Sequence, residues 1–242
     1  MTAKRSFAPS LCRLRGRRSL VFAREWEEIY RQGGQNSVWP WSDLVSYVMR
    51  YARPARAWRV LELGFGAGAN IPFFLSLGVS YFGTEGSASA VAKVLQRHPQ
   101  GHNLQVACCD FTEAIPFDGP FDLVVDRSSL THNSAASIRQ CLRRLPSYMR
   151  PGTKFIGIDW FSTAHAEFEA GVEAGDYYTR CGYSSGQFKD VGAVHFFDKG
   201  HLMGMLSEAG FGVERIEHKQ SDVVFPEGQG RMAWWNFVAA KA

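Results

Sequence analysis

The residues of this chain that could do chemistry sit where short apolar runs end. In VLELGFGAGANI, Val60 to Ile71, an apolar run passes Glu62 and opens into Gly64, Gly66 and Gly68. That pattern predicts a strand, a tight turn and a helix start. Glycine takes positive φ freely and lets a ligand lie on bare main chain, while the next helix offers unpaired N–H groups. A flat polar ligand is expected there. A dinucleotide fingerprint needs its third glycine five positions after the first, and Gly68 follows Gly64 by four, which puts the register outside that motif. Glycine turns also join strands to helices with no ligand at all, so the meaning of this one depends on the other run ends. Those are acidic as well: Glu85, Asp110, Asp126 and Asp159.

The elements that must position these acids alternate. Strands are expected at Arg59–Leu63, Tyr81–Thr84, Leu104–Cys109, Phe121–Val125 and Thr153–Ile158, and closing strands at Gly212–Glu217 and Trp234–Ala239. Helices are expected at Trp41–Tyr51, Asn70–Leu77, Ser87–Arg97, Ala135–Leu145 and Lys199–Ala209. Apolar strands separated by helical segments call for a parallel sheet covered on both faces, and right-handed crossovers make it a doubly wound α/β fold. The last two strands have no helix between them, so a C-terminal hairpin should place one antiparallel strand in a mostly parallel seven-stranded sheet. Ligands of such sheets bind outside the carboxyl ends of the strands, where the strand order reverses. The five acids should therefore converge on one rim, although any single one could be a helix N-cap or a solvated loop charge.

Composition sets the outer bounds. With 242 residues, 45% hydrophobic and 21% charged, the chain suits one globular domain over 25–242 with a sizeable core. No apolar run approaches the ~20 residues of a membrane span. Cys12, Cys108, Cys109, Cys141 and Cys181 form no C-x-x-C pair, so free thiols in a reducing cytoplasm are expected. The net charge of +4 is concentrated in residues 1–24, with Lys4, Arg5, Arg13, Arg15, Arg17, Arg18 and Arg24 and no acid. Such an arm reads as a disordered tail, an early start codon, a transit peptide or a basic arm for nucleic acid. It lacks the interleaved aromatics of a nucleic-acid surface.

The E-x-G-x-G-x-G run after an apolar strand resembles motif I of the class I S-adenosylmethionine-dependent methyltransferases. The resemblance extends over most of Trp58 to Gly157. LRRLPSYMRPGTKFIGID looks like that family's helix, Pro-Gly turn and fifth strand, and HFFDKGHLMGMLSEAGF like its penultimate helix and turn into strand six. Phe65 and Ala67 depart from the smaller or more polar residues usual between the glycines. The resemblance implies S-adenosylmethionine as cofactor, with Gly64, Gly66 and Gly68 giving main-chain approach and Glu62 near the methionine end. Glu85 would accept from both ribose hydroxyls, since an ionised carboxylate has two acceptor oxygens and no donor. Asp110 and Phe111 would border adenine, and Asp126 would open the loop beside the sulfonium.

The loop after strand four reads DRSS where adenine- and amide-directed relatives carry N/D-P-P-Y, so it resembles the small-molecule branch. His132 aligns with a histidine common there; as a general base it competes with a structural role. Asp126 and Asp159 alone make no metal cluster, and no metal is expected. Trp160 to Phe197 is long enough for a lid, and its His165, Tyr177, Tyr178, Arg180 and His195, with Asp159, are candidate acceptor contacts. So are Trp39 and Trp41 in QNSVWPWSD, ahead of a helical cap over about 35–52. The resemblance implies methyl transfer to an O or N atom of a small metabolite such as a sugar or natural-product intermediate. The alternatives are an RNA methyltransferase using the basic arm, a non-catalytic S-adenosylmethionine-binding module, and an NAD dehydrogenase. The glycine spacing and the lack of a Tyr-x-x-x-Lys pair speak against the last.

Overall fold

The computed structural model describes residues 24–227 and 230–242; Cys12 and all of the N-terminal arm except Arg24 lie outside them. Seven strands make the main sheet: β1 (Arg59–Leu63), β2 (Ser80–Glu85), β3 (Leu104–Cys108), β4 (Phe121–Arg127), β5 (Met149–Phe161), β9 (Phe211–Asp222) and β10 (Arg231–Lys241). Their order is β3-β2-β1-β4-β5-β10-β9. β10 runs antiparallel to both its neighbours and the other pairs are parallel, as the closing hairpin requires. The order reverses between β1 and β4, and there the crevice forms.

Alternate residues of the central strands feed two cores. Leu61, Leu63 and Val124 pack on one face of the sheet, and Val60, Leu123 and Val125 on the other, as the twofold repeat of a strand buried on both sides demands. Helices α3 (Ile71–Ser76) and α4 (Ala88–Arg97) build on the second of these cores, α5 (Ala135–Arg144) and α6 (Lys199–Glu208) on the first. Ser87, Ser134 and Asp198 cap α4, α5 and α6 by accepting from main-chain N–H groups three residues on, which satisfies donors the helix itself leaves open.

Four features differ from the sequence expectation. The closing strands run to 12 and 11 residues, because each edge finds a partner in the hairpin. The helix expected over Trp41–Tyr51 is α2 (Ser42–Tyr47) followed by a wide π turn to Ala52. The 160–197 insertion carries its own small sheet, β6 (Val172–Glu173), β7 (Thr179–Cys181) and β8 (Val194–His195), over a separate core of Phe168, Phe188, Phe196 and neighbours. A helix not anticipated, α1 (Arg24–Arg31), begins inside the segment read as tail and packs across α4.

Candidate functional site

The glycine turn is built by left-handed backbone at Gly64 (φ 59°), Gly66 (φ 56°) and Gly68 (φ 78°), a region costly for residues bearing Cβ. Their surroundings differ. A Cβ on Gly64 would strike Ser129 of the β4 loop, and one on Gly66 would lie 2.5 Å from the Tyr30 hydroxyl of α1. On Gly68 it would meet Val94 of α4 at 2.8 Å. Gly68 is thus spent on packing the turn against a helix and does not border the crevice, a correction to its expected ligand role. Gly64 and Gly66 do border it, in a hollow of about 940 Å³ with its mouth included.

Glu62, Glu85, Asp110 and Phe111 line that hollow too. Glu85 is almost fully buried, and its Oε2 and Oε1 accept from the main-chain N–H of Gly66 (2.8 Å) and Ser87 (2.9 Å). Burial pushes its carboxyl up to about 7 against those hydrogen bonds. An ionised carboxylate has about four acceptor positions, and with the Gly86 N–H also directed at it one or two remain for donors of a ligand. Asp110 uses Oδ1 for the Thr112 N–H and hydroxyl. Glu62 is held by Asn70 (2.7 Å) and the Tyr81 hydroxyl (2.7 Å), with burial raising its carboxyl. Asn70 in turn accepts from the main chain of Trp41, tying the segment before α2 to the end of β1.

The roof comes from α1. Glu27 accepts from the Ser87 hydroxyl (2.6 Å) and from Ser89, and Lys93 caps the Tyr30 carbonyl. These contacts hold Trp26 and Tyr30 over the crevice. The signal was present in REWEEIYR: Trp26, Ile29 and Tyr30 share one face, with acids in the first turn and Arg31 in the last.

A second hollow, about 1330 Å³ with its open mouth included, shares Trp26, Gln35, Trp41, Arg127, Ser128 and His132 with the first. Arg127 lies 3.5 Å over the Trp41 ring and pairs with Asp159 (2.9 Å). Burial raises the Asp159 carboxyl against the pull of Arg127. Asp159 and Ser128 both adopt φ 57° without being glycine, and the Ser128 hydroxyl donates to the Asp159 carbonyl (2.7 Å). Backbone strain of this kind, about 1–3 kcal/mol per residue, concentrates at functional sites. His132 stands edge-on to Trp26 (4.7 Å) and Phe161 (5.5 Å), with Nδ1 buried and unpartnered. Burial and the Arg127 charge hold its imidazole down to about 3, so it is a neutral hydrogen-bonding ring and a weak base.

Several expected residues lie elsewhere. Asp126 is wholly buried behind the wall, where it accepts from Ser129, the Leu130 N–H (3.1 Å) and the Trp160 indole (2.6 Å). Its carboxyl is raised to about 7, chiefly by burial. It pins the β4 loop and borders neither hollow. Trp39 is 79% exposed and borders neither. His165 caps a turn of the insertion through Nδ1, and Arg180 covers Phe168 next to Tyr177. Tyr178 stacks on His201, which hydrogen-bonds His195. These five residues serve the insertion's own core because a three-stranded sheet needs its own apolar and polar partners. The insertion instead reaches the crevice through Gln187 and through Phe161, Phe188 and Val191, the last three being apolar positions that alternation alone assigns to core.

Residues 60–152, from β1 into β5, match the family model described as a methyltransferase domain. With the seven-stranded sheet and the glycine turn, that match over residues 60–152 supports a methyltransferase of the S-adenosylmethionine-dependent class. Similar solved structures include an S-adenosylmethionine-dependent methyltransferase from Methanosarcina mazei (14% identity, 84% of this chain and 98% of that one, TM-score 0.64). Another is the 1,6-didemethyltoxoflavin N1-methyltransferase of Burkholderia thailandensis, with S-adenosylhomocysteine bound (18%, 83% and 77%, TM-score 0.59). A third is a phosphoethanolamine N-methyltransferase from Haemonchus contortus (16%, 90% and 56%, TM-score 0.61). At these identities the likeness establishes the fold. None of the curated proteins matches in sequence. No helix among the described residues is long and apolar enough to cross a membrane.

Proposed function

We propose that the chain moves the methyl group of S-adenosylmethionine to an O or N atom of a small metabolite held in the second hollow. The carrying observation is that the two hollows share one wall, Arg127, Ser128 and His132 with Trp26 and Trp41, so donor and acceptor would meet across it. The cofactor's activated sulfonium supplies the chemistry; the protein's task is in-line positioning.

In this reading Glu85 takes the ribose hydroxyls, Asp110 and Phe111 border the base, and Gly64 and Gly66 admit the chain of the cofactor to the main chain. Glu62, fixed by Asn70 and Tyr81, stands at its cationic end. His132 orients the acceptor as a neutral ring. The roof of α1 and the inserted sheet support an acceptor small enough to be enclosed. Two measurements test the proposal. Calorimetry should give binding of S-adenosylhomocysteine and none of NAD, and S-adenosylhomocysteine should accumulate with small O- or N-nucleophiles. Binding of NAD alone, or turnover with RNA and no small acceptor, would overturn it.

A further inference from the structure

We infer that the acceptor is an uncharged, planar aromatic molecule carrying oxygen atoms on its edge, an inference that rests on the second hollow being the acceptor site. The first ground is shape. Trp26, Trp41, Phe161, Phe188, Met232 and Trp234 supply its walls, contributed by α1, the segment before α2, β5, the insertion and β10. One face of Trp41 is covered by the Arg127 guanidinium, and the residue is still 38% exposed. Aromatic walls of this kind favour a flat ring, which stacks or meets them edge to face.

The second ground is charge. The charged groups among the described lining residues are Arg127, Asp159, Asp43 and Lys219, and they cancel in two ion pairs, Arg127–Asp159 and Lys219–Asp43. The pairs are joined through Asn236, which donates to Asp43 (3.2 Å) and accepts from the Asp159 N–H (2.8 Å). A charged acceptor would find no free counter-charge here and would have to break one pair, leaving a partly buried ion alone. A neutral one leaves the network intact.

The third ground is the hydrogen-bonding sense of what is left over. Of the six buried side-chain polar atoms without a partner among the described residues, three belong to residues of this wall: Trp26 Nε1, Trp234 Nε1 and His132 Nδ1. Indole N–H groups only donate. Buried donors without acceptors are uncommon and call for a reason. Oxygen atoms on the edge of a ring, reached when the wall adjusts to the ligand, would supply the missing acceptors.

A matched series tests this on the full-length protein saturated with S-adenosylhomocysteine: dihydroxynaphthalene, naphthoate and naphthylmethylammonium, read by quenching of tryptophan fluorescence. The neutral diol should bind at least tenfold more tightly than either ion. Trp234→Phe keeps a ring and removes the N–H, and it should weaken the diol roughly fivefold while leaving unsubstituted naphthalene within twofold. Tighter binding of either ion, no binding of any of the three, or equal loss of diol and naphthalene in the variant would overturn the inference. The wild-type series decides even if the variant does not fold. Calorimetric binding of S-adenosylhomocysteine is read separately: its failure would remove the methyltransferase reading of the site, whereas its success with a failed series would remove only the acceptor class.

Discussion

If Glu85 holds the ribose, cofactor affinity must follow its ionisation. Burial raises this carboxyl to about 7 although Gly66, Ser87 and Gly86 main-chain N–H groups favour the ionised form. A ligand donating two hydroxyls adds further hydrogen bonds to the ionised form and lowers the pKa in the complex. Between pH 8 and pH 6 the ionised fraction of the free protein then drops roughly tenfold, equivalent to about 1.4 kcal/mol. The Kd for S-adenosylhomocysteine should rise by the same factor, and near pH 6 binding should release close to one proton. Calorimetry in two buffers of different ionisation enthalpy measures both.

The control is Glu85→Gln. Its amide cannot ionise, and it must either turn its NH2 toward the N–H of Gly66 and Ser87 or lose an acceptor for the ribose. Affinity at pH 8 should fall by about 1.5–3 kcal/mol, the usual contribution of hydrogen bonds to a charged group, and the pH dependence should vanish. Asp126 is also raised to about 7, so the variant is what assigns the slope to Glu85. A flat wild-type profile, or an unchanged slope in Glu85→Gln, would refute the ribose assignment.

The same variant exposes a balance in stability. His132 and His195 are both held down to about 3 by burial, so their contribution is complete above the unfolded value near 6.5 and is lost as pH falls toward 3. Glu85 and Asp126 are raised, so their contribution is complete below the unfolded value near 4 and is lost as pH rises toward 7. Between pH 4.5 and 6 these groups oppose one another; removing one carboxyl in Glu85→Gln should change the pH slope of stability by about 1.4 kcal/mol per pH unit, in the direction of loss on acidification, measured against the wild type by urea unfolding. Gly66→Ala should displace Tyr30 and force an L-residue to φ 56°, weakening S-adenosylhomocysteine at least tenfold; unchanged affinity would place the ligand away from this turn. Glu27→Ala removes the bonds to Ser87 and Ser89 and should cost about 1–2 kcal/mol of stability, along with faster cofactor dissociation in stopped flow. His132→Gln should lower turnover roughly tenfold at constant cofactor affinity, with no kinetic pKa near 6.5 in the wild type; such a pKa would restore His132 as a general base.

The sheet was legible because its signals are local. Apolar runs of strand length, helices capped by Ser87, Ser134 and Asp198, and glycines at turns are each set by neighbouring residues, and the strand order follows from connection rules. The convergence of Glu62, Glu85 and Asp110 on one hollow was legible for the same reason, since each stands at or just past the carboxyl end of its strand. What failed depended on tertiary packing. Whether Gly68 faces a ligand or a helix is decided by Val94, 26 positions away. Tyr178 and His195 look like chemistry in sequence but are partnered by His201 of α6. Phe188 and Trp234 look like core yet form the crevice wall, because nothing in their local pattern says which side of them is filled.

Asp126 and Asp159 carry the more general lesson about strand-end acids. Both stand at the switch of the sheet, yet each is committed to building: Asp126 to the N–H and hydroxyl of the β4 loop and the Trp160 indole, Asp159 to Arg127. That commitment is what permits Ser128 and Asp159 to hold φ 57°, since strained backbone persists only where its surroundings over-determine it. Beside this strained backbone Arg127 lies over Trp41 and His132 stands between Trp26 and Phe161. Methyl transfer asks chiefly for such a fixed wall between donor and acceptor. On the proposed function, a carboxylate buried behind that wall would therefore contribute by stiffness, while Glu85, with acceptor capacity still open in the crevice, would contribute by contact.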